Sequence, residues 1–455
     1  PGSGQSFKTM NGFIQKIQDI WAVEELRQRI LITIGFLAVY RFGSFVILPG
    51  IDTAALQRAV GSGNGGLIDL LNTFTGGAFY QAAVFALGIM PYISASIIVQ
   101  LLGFAVPYFQ KLQKDGENGQ RKLNQITRVI TIAITVVQGS AYLTYLGSQP
   151  GVILADVPRS VFWLANIIIL TAGTIFCMWL GERITDKGVG NGISLLITAG
   201  IIAALPGAFM SEFQIKLESG ALIIFILEMA LFVGVVMASV ALVQAVRKIR
   251  IQFAKHMIGR SNLTELGTER DYLPIKLNAA GVMPIIFAQA LMFVPGAIAQ
   301  SMGSDSVFWV QMADFTSVPY NVVFFLLVVA FTYVYTALIV NPQQYADHLK
   351  RQNAFIPGVK QGSDTAEYID EVTTLVTLPG SLALGFISII PGIAAATITT
   401  NVGFAIFYGG TSLLILVAVV LDTLQQIDAH LAMHGYDVRK AQGGRTRATE
   451  RDTVL

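Results

Sequence analysis

Ala82–Val106 reads AAVFALGIMPYISASIIVQLLGFAV and contains no Asp, Glu, Lys or Arg. About 20 apolar residues are enough for a helix to cross a hydrocarbon core of roughly 30 Å. A surface helix of a soluble protein would keep a charged stripe toward water, and this run has none. It is read as a membrane span.

Runs of the same kind recur on both sides of it: Ile30–Leu48, Ile126–Leu146, Val161–Leu180, Ile193–Leu205, Ala221–Val246, Ala279–Ala299, Val322–Val340, Val372–Ile390 and Phe404–Leu421. Together they make ten. The 455-residue chain is 53% hydrophobic and 13% charged, against roughly 25% charged in soluble domains, and its mean hydropathy is +0.62. The predicted class is an all-α polytopic membrane protein. Ile193–Leu205 is short for a span, so it is either extended at its ends or partly shielded by neighbours, and Pro379-Gly380 predicts a kink in the ninth that other helices must support. No cleavable leader is expected, because the first apolar run is of full spanning length. Pro1–Gly4 are set aside. Cys177 is the single cysteine, which excludes an intramolecular disulfide.

Lys and Arg set the orientation. With ten spans, one side collects 26 of the 30 basic residues, and the other holds only Arg58, Arg159 and Lys216; Arg41 lies within the first span. Such a bias puts both termini on the cytoplasmic side. The organisation is then a cytoplasmic segment 1–29, a first half 30–205, an external connection 206–220, a second half 221–421 and a cytoplasmic tail 422–455. In the first segment Phe13, Ile14, Ile17, Ile20 and Trp21 fall at helical spacing, which predicts an amphipathic helix in the interface.

Catalytic signatures are missing. There is no G-x-x-x-x-G-K-[ST] loop and no H-E-x-x-H, and His256, His348, His430 and His434 all lie outside the spans. Gly188, Gly190 and Gly192 follow no strand and read as a flexible lead into the fifth span. Well inside the spans only Arg41 and Glu228 are charged, too few for an ion-coupled relay. Arg41 alone is consistent with snorkelling to the outer interface; Glu228 calls for a partner on another helix or another subunit. No cofactor and no metal are expected. A conduit driven from outside suits this pattern better than a solute transporter or an intramembrane enzyme.

Gly65–Leu102, GGLIDLLNTFTGGAFYQAAVFALGIMPYISASIIVQLL, resembles the second span of the SecY family, bacterial type, with its preceding plug. GERITDKGVGNGISLLI (Gly181–Ile197), LPIKLNAAGVMPIIFA (Leu273–Ala288), NAFIPGVKQGSDTAEYID (Asn353–Asp370) and YGGTSLLILVAVVLDT (Tyr408–Thr423) continue the resemblance in family order. It implies two inverted halves of five spans around a pore, with a lateral gate between spans two and three and spans seven and eight. The activity implied is passive protein conduction. The partners implied are the small subunits SecE and SecG, the SecA motor, the ribosome, signal sequences of preproteins and the lipid bilayer, with DNA not among them.

The resemblance also assigns residues. The family's pore ring maps onto Ile89, Ile93, Ile193, Ile197, Ile286 and Ile415, and branched apolar side chains at a constriction can dewet it and block ions. Ile89 and Ile93 share a helix face, as do Ile193 and Ile197. The plug maps onto about 66–79, with Leu67, Ile68, Leu70, Leu71 and Phe74 as its apolar residues, Gly66 before them and Gly76-Gly77 after. Ser94 and Gln138 match polar gate positions, whereas the third, polar in eukaryotic relatives, is Val282. Arg247, Lys248, Arg250, Lys255 and Arg260 in one loop, and Lys360 in the next, map onto docking surfaces for ribosome and motor. Lys360 stands where bacterial relatives usually carry Arg, and Ser261 where a second basic residue is usual.

Overall fold

The structure, a computed structural model, describes residues 20–21, 23–60, 72–149, 151–154, 158–253, 271–289, 291–292, 307–397, 399 and 402–451. In chain order the helices are α1 (Glu24–Gly43), α2 (Thr53–Val60), α3 (Met90–Ala105), α4 (Pro107–Lys114), α5 (Gly116–Ser148), α6 (Arg159–Lys187), α7 (Gly192–Glu218) and α8 (Leu222–Gln244). Strands β1 (Val246–Phe253) and β2 (Asp271–Lys276) follow. The chain continues with α9 (Val307–Ala313), α10 (Val318–Ile339), α11 (Pro342–Arg351), β3 (Ala354–Phe355), α12 (Ser363–Thr397), α13 (Val402–Ala405), a 3₁₀ turn at Ile406–Tyr408 and α14 (Gly410–Arg451).

Seven helices among the described residues have the length and apolarity of a membrane span: α5 to α8, Val318–Arg351, α12 and Gly410–Leu431. α3 and α4, bent by 102° at their junction, make an eighth if taken together. The first predicted span corresponds to α1, which carries Glu24, Glu25, Arg27, Arg29 and Arg41. Of the seventh predicted span, residue 290 and 293–299 lie outside the described residues; 283–289 and 291–292 are helical. Of the predicted amphipathic helix, Phe13, Ile14 and Ile17 lie outside the described residues, while Ile20 and Trp21 are helical.

Burial runs opposite to that of a water-soluble bundle. α8 buries Phe225, Glu228, Val235, Ser239 and Leu242, while Ile223 is 85% exposed. α5 buries Thr127, Thr131 and Thr135, and Val129 and Val137 on its other face are exposed. Each of those threonines returns its hydroxyl to the carbonyl four residues earlier, at 2.9, 2.7 and 2.7 Å. Polar groups face neighbours and aliphatic ones face outward, as a lipid solvent requires.

Several predicted edges move. α1 ends at Gly43, five residues before Leu48, because Val46–Leu48 pairs with Ala82–Val84: Leu48 N donates to Ala82 O at 2.8 Å and Val84 N to Val46 O at 2.8 Å. The second span becomes helical only at Met90, since Ala82 and Gly88 have φ of 48° and 51°. It breaks at Val106, held extended (φ −117°, ψ 119°) by the following Pro107. The fifth is not short: α7 runs through Pro206 to Glu218, so most of the predicted external connection 206–220 is helix. α12 likewise continues through Pro379 and Pro391. The chain is not purely helical, because Val246, assigned to the sixth span, begins a three-stranded antiparallel sheet of order β2-β1-β3. Val246 pairs with Lys276 and Ile251 with Asp271; Gln252 pairs with Phe355. β-branched Ile249 and Ile251, both buried, flank exposed Arg250 there, an alternation that favours a half-buried strand over a helix.

The chain divides into two compact units. One comprises Pro1–Asn64, Leu71–Ala204 and Val419–Leu455, the other Gly65–Leu70 and Leu205–Ala418. In the first, α3, α5 and α6 pack side by side, and Gly173 of α6 comes so close to Val84 that an added Cβ would lie 2.3 Å from its carbonyl oxygen. In the second, α10 packs along α12. There Phe404, Tyr408 and Ala394 form a core with Phe209, Met229 and Phe232.

Candidate functional site

Four helix starts share one device. Gly88 (φ 51°) precedes Ile89 and α3, Gly190 (φ 80°) precedes α7, Gly281 (φ 64°) precedes the helical residues 283–289, and Gly410 (φ 61°) opens α14. Each glycine takes a left-handed turn that a side chain would resist, so the helix behind it starts abruptly. The predicted ring residues sit in the early turns of these helices. Ile89, Ile93, Ile197 and Ile415 are buried; Ile193 and Ile286 are half-buried. Ile193 packs onto α6, where a Cβ on Gly181 would lie 3.0 Å from its Cγ1. Ile89, Ile93, Ile193 and Ile197 belong to the first unit, Ile286 and Ile415 to the second.

Of the predicted gate residues, Ser94 on α3 and Gln138 on α5 are half-buried on neighbouring helices of the first unit. Val282 lies in the second unit. Its carbonyl accepts from the N–H of Ile285 and Ile286 at 3.2 and 3.3 Å, so it starts the turn that carries Ile286.

Of the predicted plug, Gly66, Leu67, Ile68, Leu70 and Leu71 lie outside the described residues. Phe74 is buried, and Gly76 and Gly77 have φ of 63° and 92°. Arg41 has partners within the chain: its Nη1 donates to the carbonyl of Gly76 at 3.0 Å, and its guanidinium lies 5.4 Å from the Phe45 ring centre. Tyr142 on α5 donates to the carbonyl of Phe79 at 2.7 Å.

Glu228 finds its partner within the chain. Lys216 Nζ, near the end of α7, stands 2.9 Å from Glu228 Oε1 and 3.6 Å from Glu212 Oε1. All three residues are buried, and Glu228 Oε2 has no hydrogen-bond partner among the described residues. Glu212 and Lys216 were invisible as span charges because the fifth span was ended at Leu205. Their i, i+4 spacing, Glu before Lys, was the available signal that the helix continued. Among the described residues no group of three or more His, Cys, Asp or Glu is placed to hold a metal ion.

The two predicted docking loops form one module. Ile249, Ile251 and Ile275 of the sheet pack with Leu349 of α11, Ala354, Ile356 and Ile369 of α12. Arg247, Lys248 and Arg250 are exposed on β1 and border a cavity of about 780 Å³, whose other wall includes Tyr368, Val372 and Val376. Lys255 and Arg260 lie outside the described residues, as does Ser261. The Lys360 side chain is exposed while its carbonyl accepts from Thr365 Oγ1 at 2.7 Å. The loop tip is therefore fixed and its charge is presented outward.

The SecY family model matches residues 83–424. "Protein translocase subunit SecY" of Streptomyces scabiei is 40% identical over 432 residues, covering 91% of this chain and 96% of that one. Among solved structures, "The structure of a protein conducting channel" superposes with a TM-score of 0.63 at 18% identity, covering 88% of this chain and 91% of that one. "Sec61 in the Canine ribosome-channel complex from the endoplasmic reticulum" gives 0.58 at 17% identity, covering 88% and 91%. A match of this length and identity is decisive, and the chain belongs to the SecY family.

Proposed function

We propose that this chain is the channel-forming subunit of a protein translocase, passing unfolded preproteins across a membrane and releasing hydrophobic segments sideways into it. The observation that carries this is the 40% identity to a translocase subunit along nearly the whole chain. The inside-out burial of α5 and α8 supports the membrane setting. No step of chemistry is assigned to the chain itself: Ile89, Ile93, Ile193, Ile197, Ile286 and Ile415 form the apolar seal, residues 66–79 the plug, and Ser94, Gln138 and Val282 belong to the lateral gate. The small-solute transporter is the weaker reading, since the relatives are translocase subunits.

Energy comes from partners. SecA or a ribosome docks on the sheet module through Arg247, Lys248, Arg250, Lys255, Arg260 and Lys360, whose charges suit acidic surfaces or ribosomal RNA phosphates. SecE and SecG complete the complex. The 26-to-3 distribution of basic residues supports an inner-membrane protein with both termini in the cytoplasm. Reconstitution with SecE and SecG, driven by SecA and ATP, is expected to protect a preprotein from external protease. In planar bilayers, Ile93→Gly with Ile415→Gly is expected to raise resting ion conductance. An assembled complex that protects no preprotein, and whose ring variant conducts like the parent, overturns the reading.

A further inference from the structure

We propose that Arg41 is a positioning residue that seats the turn Thr73–Gly77 against α7 and thereby sets how strong a signal the channel demands before it opens. The inference rests on the channel reading above.

Three contacts converge on that turn. Arg41, in the last turn of α1, donates from Nη1 to the Gly76 carbonyl across 35 positions of sequence. There its charge also faces the negative end of its own helix, which favours the guanidinium at that place. From the other side comes Gly200 of α7: a Cβ on Gly76 would lie 2.5 Å from Arg41 Nη1 and 2.9 Å from Gly200 Cα. A Cβ on Gly200 would in turn lie 2.4 Å from the Phe74 carbonyl oxygen. Two glycines thus allow backbone to lie on backbone, with the cation closing the third side.

The chain on the far side of this turn is tied both to α5 and back to the turn itself. Tyr142 donates to the Phe79 carbonyl, and its ring centre is 4.6 Å from that of Phe79. Tyr80 N donates to Asn72 Oδ1 at 3.0 Å, and Gly77 N to Asn72 O at 2.9 Å. Phe79 N also donates to Thr75 Oγ1 at 3.2 Å, so 72–80 is one cross-linked turn that Tyr142 anchors to α5 through Phe79 and that Arg41 holds on its α1 side. Arg41 is only half-buried, so it can exchange the carbonyl for water. The contact is a releasable catch.

The test compares parent, Arg41→Gln, Arg41→Lys and Gly76→Ala, with the Ile93→Gly/Ile415→Gly channel as reference, in one proteoliposome system. Preproteins with signals of graded hydrophobicity are imported, and resting conductance is recorded. Arg41→Gln should import a weak-signal preprotein on the order of tenfold better than the parent, the factor one charge-assisted hydrogen bond is worth. Import of a strong-signal preprotein should be unchanged, and Arg41→Lys should fall between Gln and parent. Gly76→Ala forces a Cβ into the same contact with Arg41 intact, so it should relax selection too, and it decides the matter if Arg41→Gln does not accumulate. Parent-like selection in Arg41→Gln, or in Gly76→Ala where only that variant accumulates, overturns the proposal if the ring reference leaks. A ring reference that does not leak overturns the channel reading instead.

Discussion

Two cations, Arg41 and Lys216, are held in opposite ways. Arg41, at the end of α1, gives one hydrogen bond to a backbone carbonyl and remains half-exposed. Lys216, near the end of α7, is buried against two carboxylates, Glu228 on α8 and Glu212 one turn back on its own helix. The first contact can be exchanged for water with no charge left stranded. The second cannot, because separating Lys216 from Glu228 leaves unpaired ions in an apolar setting. One region is therefore built to let go, while the α7–α8 junction is built to stay joined, although Arg41 and Glu228 both look in sequence like a stray charge in an apolar run.

The contrast is broken most forcefully at Lys216. Lys216→Met removes the cation that Glu212 and Glu228 both face, and the loss of one partner from a buried pair costs about 3–5 kcal/mol. Thermal unfolding of the purified complex should fall accordingly, or the variant should fail to accumulate. Glu228→Gln is the sharper probe. It removes one of two carboxylates, leaves Glu212 beside Lys216 and makes the cluster neutral, so its cost should be on the order of 1 kcal/mol. Equal losses in both variants would mean that the tie is simple packing between α7 and α8, and the comparison with Arg41 would lose its basis.

How much of this was legible in the sequence depended on whether a signal was local. Hydrophobic runs are local, and those that became α5, α6, α8 and α10 were found to within a few residues at their apolar centres. Edges decided by distant partners were not. α1 stops at Gly43 because Val46–Leu48 meets Ala82–Val84, a pairing no window of sequence contains. The apolar run of the fifth span ends at Leu205, but α7 continues through Pro206 to Glu218, as a backbone surrounded by other helices can. That one misplaced edge hid Glu212 and Lys216. β1 was hidden for a related reason: Val246–Phe253 follows a span directly, and its partner β2 arrives only at Asp271. The isoleucines of the ring stood out through family resemblance alone, because in a chain 53% hydrophobic nothing local separates them from packing residues.

The smallest expected effect tests whether burial, rather than distance, separates strong ties from weak ones. Arg128 on α5 and Glu182 on α6 make the tighter contact: Nη2 lies 2.9 Å from Oε1 and 2.7 Å from Oε2. The Lys216–Glu228 separation is 2.9 Å. Yet the side chains of Arg128 and Glu182 are 49% and 30% exposed, so water already solvates both and removing one strands nothing. α5 and α6 are joined chiefly by their buried stripes. Arg128→Gln should therefore cost only about 0.2–1 kcal/mol. The difference from the parent should shrink as salt is raised, since at roughly 1 M the screening length falls to about 3 Å. Unfolding of parent and variant at low and high salt measures both. A salt-independent loss as large as that of Lys216→Met would show that short distance suffices, and that exposure does not distinguish the two ion pairs.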